Sequence, residues 1–395
     1  MKYLVYCACI FLFLLQGCSN APMISGTLDM TEGQEWKPMV YLVQPEGFGA
    51  LGQSFTGKLL DSSKVDSNGR FQFGKQVKNK DATLFEVVVQ KEEERYSNRL
   101  ENENPETDNY FPLVWTPGEQ IVMKAAINRF QASATVENPS SVNAAFMQLR
   151  DIKKDAFTQY QQSLEQQEGD EQLLEREKNH HTYQSSLMQF ADTTQQLFPA
   201  LMAIRWVSPE GNYERIPEFL VGQSQQWKTK NPEHPWVKEL AASADTDKLP
   251  ILIGDQIPNL QFPMNDGSKS MFKEVVDGKK LLLLDVWASW CAPCRLENRN
   301  VLVPLWEKYH EDGFQILAYG LESSQQAWEN AIDKDGAYRW LHASHVEGDQ
   351  NPLMDSLRIM TIPANFLLDA NGMVLAKNLH GDDLVHLVDD YMARH

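Results

Sequence analysis

Two cysteines separated by two residues stand in Trp290-Cys291-Ala292-Pro293-Cys294, directly after the apolar run Leu281-Leu282-Leu283-Leu284-Asp285-Val286-Trp287. Thiols at that spacing, placed where a buried strand gives way to a helix, can close a disulfide without moving the backbone. A cysteine at the first turn of a helix faces unsatisfied N–H groups and the positive end of the dipole, which favours its thiolate. Cys291 is therefore the expected nucleophile, and Cys294, one turn deeper and less exposed, the expected resolving thiol. Pro293 suits a first helical position, where it has no N–H bond to lose. A structural zinc site would need four ligands, and no second cysteine pair or nearby Cys/His cluster supplies them. A peroxide-reducing cysteine would carry Thr or Ser three residues earlier, where Ala288 stands. The run reads as dithiol redox chemistry that needs no cofactor beyond the Cys291–Cys294 disulfide itself.

The strand that delivers the pair, 280–287, is interrupted by Asp285. Burial raises a carboxylate's pKa towards the range where it can move a proton at neutral pH. Glu297 lies one turn after Cys294 on the same helix face. The order that follows is helix (294–311), strand (314–319), helix (323–333), strand (340–344), helix (352–357), Thr361-Ile362-Pro363, two antiparallel strands (364–368 and 374–379) and a closing helix (382–394). This alternation predicts an α/β domain with a partly parallel sheet covered by helices on both sides.

The stretch from Asp285 through Cys291 and Cys294 to Arg295, with Thr361-Ile362-Pro363 and Phe366-Leu367-Leu368-Asp369-Ala370-Asn371-Gly372, resembles the thioredoxin-fold lipoproteins of the TlpA/ResA type. The match spans about the last third of the chain. The resemblance implies a cis Pro363 beside the dithiol, with the backbone of Ile362 bonding an incoming chain and Trp290 completing the substrate-binding set. It implies that Asp285 is the carboxylate beneath the resolving cysteine and that Glu297 matches a glutamate next to the dithiol. It further implies protein disulfide substrates and a membrane electron donor of the DsbD/CcdA type. Arg299 stands where the family has a helix-kinking proline, so the kink is expected to be absent or differently caused, and the guanidinium to add positive charge near the site. Ala292-Pro293 lacks the histidine of strongly oxidising relatives, which favours reduction or isomerisation. A disulfide-forming oxidase, and a binding lipoprotein with an accessory dithiol, stay open.

The remaining chain frames this domain. Of 395 residues, 42% are hydrophobic and 23% charged, enough for a folded core, and the net charge of −18 speaks against nucleic acid as a partner. Residues 1–17 read as a lipoprotein signal peptide: a charged start, then an apolar region from Tyr3 to Leu15 too short to span a bilayer comfortably. Leu15-Gln16-Gly17-Cys18 resembles the bacterial lipobox, which implies acylation of Cys18 and a membrane anchor facing the periplasm. Ser19-Asn20 lacks the inner-membrane retention Asp and tilts towards the outer membrane. With Cys7 and Cys9 removed and Cys18 carrying lipid, only Cys291 and Cys294 remain as thiols.

Residues 18–135 read as a small antiparallel β-sandwich of short strands broken by turns such as Asp66-Ser67-Asn68-Gly69, and resemble the β domain found ahead of TlpA-like domains. Residues 136–247 carry apolar positions at helical spacing and are expected to form a helical spacer. Residues 248–395 form the expected thioredoxin-like redox domain, opened by a β-hairpin over 259–272.

Overall fold

The computed structural model describes residues 22–52, 57–74, 80–95, 104–165, 172–348 and 350–395. The signal peptide of residues 1–17 and the lipidation candidate Cys18 lie outside them. No helix among the described residues is long and apolar enough to cross a membrane.

The amino-terminal strands are β1 (Ile24–Asp29), β2 (Trp36–Gln44), β3 (Lys58–Lys64), β4 (Arg70–Gln72), β5 (Thr83–Lys91), β6 (Tyr110–Trp115), β7 (Ile121–Ala126) and β8 (Thr135–Val136). They form two four-stranded sheets, ordered β4-β1-β7-β8 and β3-β2-β5-β6. The arrangement is not wholly antiparallel as expected: β1 and β7 pair parallel from Ile24↔Ile121 to Asp29↔Ala126. That pairing joins strands distant in sequence, which no local turn signal announces. The Asp66 turn is a tight one. Gly69 N–H donates to Asp66 O at 2.9 Å with Gly69 at φ +75°, and the Asp66 carboxylate takes the Asn68 N–H at 2.8 Å.

A short α1 (Phe130–Ser133) precedes the helices α2 (Ser141–Leu164), α3 (Leu173–Thr193), α4 (Leu197–Val207), α5 (Pro217–Lys230) and α6 (Pro235–Ser243). Pro217 and Pro235 open their helices, where a missing N–H costs nothing. The buried faces of these helices share one core with the two sheets, a cluster running from Met23 to Leu249. Within it Lys153, fully buried, pairs with Asp108 at 2.9 Å and lies over the Trp206 ring at 4.3 Å.

A second core, from Ile257 to Val388, belongs to the carboxy-terminal elements. These are the hairpin β9 (Gln261–Pro263) and β10 (Lys269–Met271), then α7 (Phe272–Val276), β11 (Leu281–Trp287), α8 (Ala292–Glu297), α9 (Val303–Tyr309), β12 (Phe314–Gly320), α10 (Gln325–Asp335), β13 (Leu341–Ala343), α11 (Pro352–Leu357), β14 (Ala364–Asp369), β15 (Val374–Lys377) and α12 (Gly381–Arg394). Five strands make one sheet in the order β13-β12-β11-β14-β15, parallel on the β13 side of β11 and antiparallel on the other. Central β11 is buried at every position. Burying each of its leucines is worth about 1.5–3 kcal/mol, so this strand anchors the sheet.

Candidate active site

β11 ends at Trp287, and the chain turns through Ala288, Ser289 and Trp290 before α8 begins. Cys291 is the N-cap of α8, in extended conformation, and its sulfur accepts the backbone N–H of Cys294 at 3.3 Å. A sulfur in that position satisfies one of the helix's orphan donors and receives the field that stabilises negative charge. Cys291 and Cys294 are joined by a disulfide with their Cα atoms 5.3 Å apart. In this disulfide form both cysteines are nearly covered, with 5% of Cys291 and 3% of Cys294 accessible. Trp290, 66% exposed, is the residue that projects beside the pair.

Two carboxylates hold the approach to Cys291. Glu322, almost fully buried just after β12, accepts both the Ser289 N–H and, at 2.9 Å, the Ser289 hydroxyl. Arg295, next to Cys294, donates to Ser289 O at 3.0 Å and forms a two-pronged pair with Asp335, whose carboxylate is buried. Arg299 donates to the same Asp335 at 2.7 Å. Its guanidinium is therefore engaged by a carboxylate rather than lending free positive charge to the dithiol.

The helix is nonetheless distorted at this point. Residues Asn298–Leu302 form a π turn between α8 and α9. The cause is Pro304 in the first turn of α9, which lacks an N–H for the helical ladder and crowds the preceding turn. The distortion is thus differently caused, by a proline five residues beyond position 299.

Asp285 is buried, and its pKa is pushed up to about 8, first by desolvation and then by the nearby charge of Glu297. Glu297 shares the helix face of Cys294, so the Asp285 carboxyl lies beneath the face that bears the resolving cysteine. Glu297 is itself buried rather than solvated, accepting Gly381 N–H at 3.1 Å. His380, not singled out from the sequence, places Nδ1 3.7 Å from Glu297 Oε1, with neither ring nitrogen hydrogen-bonded among the described residues. Its signal was its position immediately before the closing helix, at a glycine with φ +55°. Asp285, Glu297 and His380 thus lie close together, the two carboxyls buried and His380 partly so.

The Ile362–Pro363 bond is cis. Ala364 pairs with Val286 at the start of β14, so residues 360–363 sit at the end of the sheet from which the cysteine loop emerges. Pro363 is buried, Ile362 partly so, and Met360 is 64% exposed. The arrangement brings Trp290, Cys291, Ile362 and Pro363 to one end of the sheet. It can stabilise a thiolate, move a proton beneath it and offer backbone groups to a neighbour. Among the described residues, no group of three or more His, Cys, Asp or Glu side chains could hold a metal ion.

The carboxy-terminal region is similar to known proteins. A family model described as Thioredoxin-like matches residues 278–374. A thiol:disulfide interchange protein DsbE from Pseudomonas fluorescens biotype C is 27% identical over 158 residues, 38% of this chain and 80% of its own length. A thiol-disulfide oxidoreductase ResA from Bacillus thuringiensis (strain Al Hakam) is 24% identical over 148 residues, 38% of this chain and 81% of its own length. A solved thiol-disulfide oxidoreductase from Bacteroides fragilis NCTC 9343 is 30% identical, covers 34% of this chain and 98% of its own, and gives a TM-score of 0.32. Residues 278–374 match the thioredoxin-like family model, and the chain is a thiol-disulfide oxidoreductase.

Proposed function

We propose that the protein is a lipid-anchored, periplasm-facing oxidoreductase that reduces or isomerises disulfides in partner proteins. The observation that carries the chemistry is the Cys291 sulfur at the N-cap of α8, bonded from Cys294 N–H, with the pKa of the buried Asp285 pushed up to about 8.

In the reduced protein the Cys291 thiolate attacks one sulfur of a partner disulfide, and the other partner sulfur leaves as a thiolate that takes a proton from water. The fraction of Asp285 that is ionised, which grows as pH nears 8, then accepts the Cys294 proton. The Cys294 thiolate attacks Cys291, frees the second partner thiol and closes the Cys291–Cys294 disulfide. Two electrons have passed to the partner. A membrane dithiol donor of the DsbD/CcdA type returns them, with protonated Asp285 supplying the departing Cys294.

Trp290, Ile362 and Pro363 form the substrate contact, and Glu297 tunes Asp285. The signal peptide 1–17 and acylated Cys18 place the protein in the cell envelope. The two amino-terminal sheets pack as a sandwich over 18–135, the helices fill 136–247, and 248–395 is the redox domain.

A Cys294→Ala variant expressed in cells should accumulate mixed disulfides whose partners mass spectrometry identifies. A trap that captures no protein overturns the substrate assignment. Cys18→Ala should move the protein from the membrane fraction to the soluble one, and membrane retention at high salt overturns the anchor.

A further inference from the structure

The loop that carries Ile362 and Pro363 is held from outside its own domain. Glu214, buried between α4 and α5, turns one carboxylate oxygen to Met360 N–H at 2.7 Å, Thr361 N–H at 3.1 Å and the Thr361 hydroxyl at 3.3 Å. Arg215 donates to Pro363 O at 2.8 Å, and its other edge is fixed by Glu177 of α3 at 3.2 Å.

The segment that offers these two side chains is itself braced. Tyr213 OH donates to Ile204 O at 3.0 Å, Ser208 OH donates to Asn212 O at 2.6 Å, and Glu214 N–H donates to the Asn212 side chain at 2.9 Å. A carboxylate accepting three bonds and a guanidinium tied at both ends make a rigid hold, because charged hydrogen bonds in poorly solvated places are the strong ones.

The pattern of bonds is selective. Residues 360, 361 and 363 are engaged, while Ile362, between them, makes no hydrogen bond through its own N–H or C=O among the described residues. An open peptide flanked by fixed ones can pair with an extended chain as an added strand. At the same end of the sheet, Met360 and Trp290 carry exposed apolar side chains.

We propose that Glu214 and Arg215 are positioning residues for the exchange reaction. They set the 360–363 loop so that Ile362 pairs with an extended protein segment whose cysteine meets Cys291 and whose apolar neighbour lies on Trp290 and Met360. The amino-terminal body thus forms one wall of the docking groove. This rests on the reading that the substrate is a protein disulfide.

The full-length protein tests it with Glu214→Ala, Arg215→Ala and Glu214→Gln, which retains an accepting oxygen. Amide exchange at Met360 and Thr361 is measured beside steady-state reduction of insulin and of a small aromatic disulfide. In Glu214→Ala those amides should exchange roughly tenfold faster, and KM for insulin should rise roughly tenfold with a smaller change in kcat. Arg215→Ala should raise that KM in the same direction, and Glu214→Gln should recover most of the Glu214→Ala loss. For both alanine variants the loss with insulin should exceed that with the small disulfide about fivefold or more. Equal losses on both disulfides, unaltered kinetics in the two alanine variants, or faster insulin turnover in them would overturn the docking role. Faster turnover would mean that the contact covers the site. A wild-type protein active on the small disulfide but not on insulin would overturn the protein-substrate reading and the docking role with it, a result distinct from silent variants of an active enzyme.

Discussion

Cys291 and Cys294 have the same chemistry in isolation and different tasks because of where α8 begins. The N-cap sulfur is the one that receives a backbone N–H, so Cys291→Ser should abolish insulin disulfide reduction, whereas Cys294→Ser should attack once and stall as a mixed disulfide. Mass spectrometry of the stalled adduct checks both, and equal turnover by the two variants would remove the distinction. Asp285 acts at the second step. Replacing it by Asn should slow release of the mixed disulfide by roughly a hundredfold or more, with less effect on the first attack, as stopped-flow kinetics would resolve. The same carboxyl makes stability pH-dependent. The folded disulfide form keeps its proton up to about pH 8, whereas the unfolded chain releases it near the ordinary value of 3.8. Between those values the native state binds the extra proton, so Asp285 costs stability as pH rises through that window and the cost levels off above it. Thermal midpoints across pH 5–9 should therefore fall more steeply for the wild type than for Asp285→Asn, and parallel curves would contradict the raised pKa.

At the scale of the elements, α8 and the turn before it are held by α10 and the end of β12 rather than by their own sequence. Asp335 serves two guanidiniums at once, and its removal leaves Arg295 and Arg299 without their anion next to Cys294. Removing one member of a buried ion pair typically costs about 3–5 kcal/mol. Arg295 and Arg299 are 19% and 41% exposed, so water compensates in part. Asp335→Ala is expected to cost about 2 kcal/mol in denaturant unfolding, and to slow attack by Cys291 because the Ser289 turn loses the Arg295 brace. Unaltered stability would show that the pair is only a surface contact. The π turn at Asn298–Leu302 follows the same logic, since Pro304 shapes a helix whose amino end carries the reactive pair.

Across the whole molecule, two cores meet along a seam of charged groups. Glu218 of α5 pairs with Lys377 of β15 at 2.7 Å and accepts Ile253 N–H at 2.9 Å, while Lys377 also donates to Ile251 O at 2.8 Å. Burial holds the Lys377 pKa below its usual value, with Glu218 opposing that effect. Glu218→Ala should destabilise the full-length protein by about 1–3 kcal/mol, because it leaves a buried ammonium without its carboxylate. Lys377→Met in that background should recover most of the loss, as an apolar side chain of similar length needs no partner. A double-mutant cycle by denaturant unfolding decides it, and strictly additive effects would exclude a coupled pair.

Much of the redox domain was legible in the order of its residues. Its apolar β11, the Cys291/Cys294 spacing, Asp285 within the strand and the Asp369–Gly372 turn are local signals, each acting over a few residues, and the chain alternates strand and helix as they imply. Features that depend on residues far apart in the chain emerge only in the folded molecule. The parallel pairing of β1 with β7 spans nearly the whole β region, and the fully buried β6 had to be found through its partner β5. Whether Glu297 faced solvent or core could not be read from a helical pattern, because both answers fit one face of a short helix; contact with Gly381 settles its burial. Arg299 stood near the dithiol in sequence, yet Asp335 claims it in space. Glu214 and Arg215 lie in a polar stretch with no motif, nearly 150 residues before the loop they hold. Their significance exists only once the two cores are brought together, since a hydrogen bond depends on distance in space and not on separation along the chain.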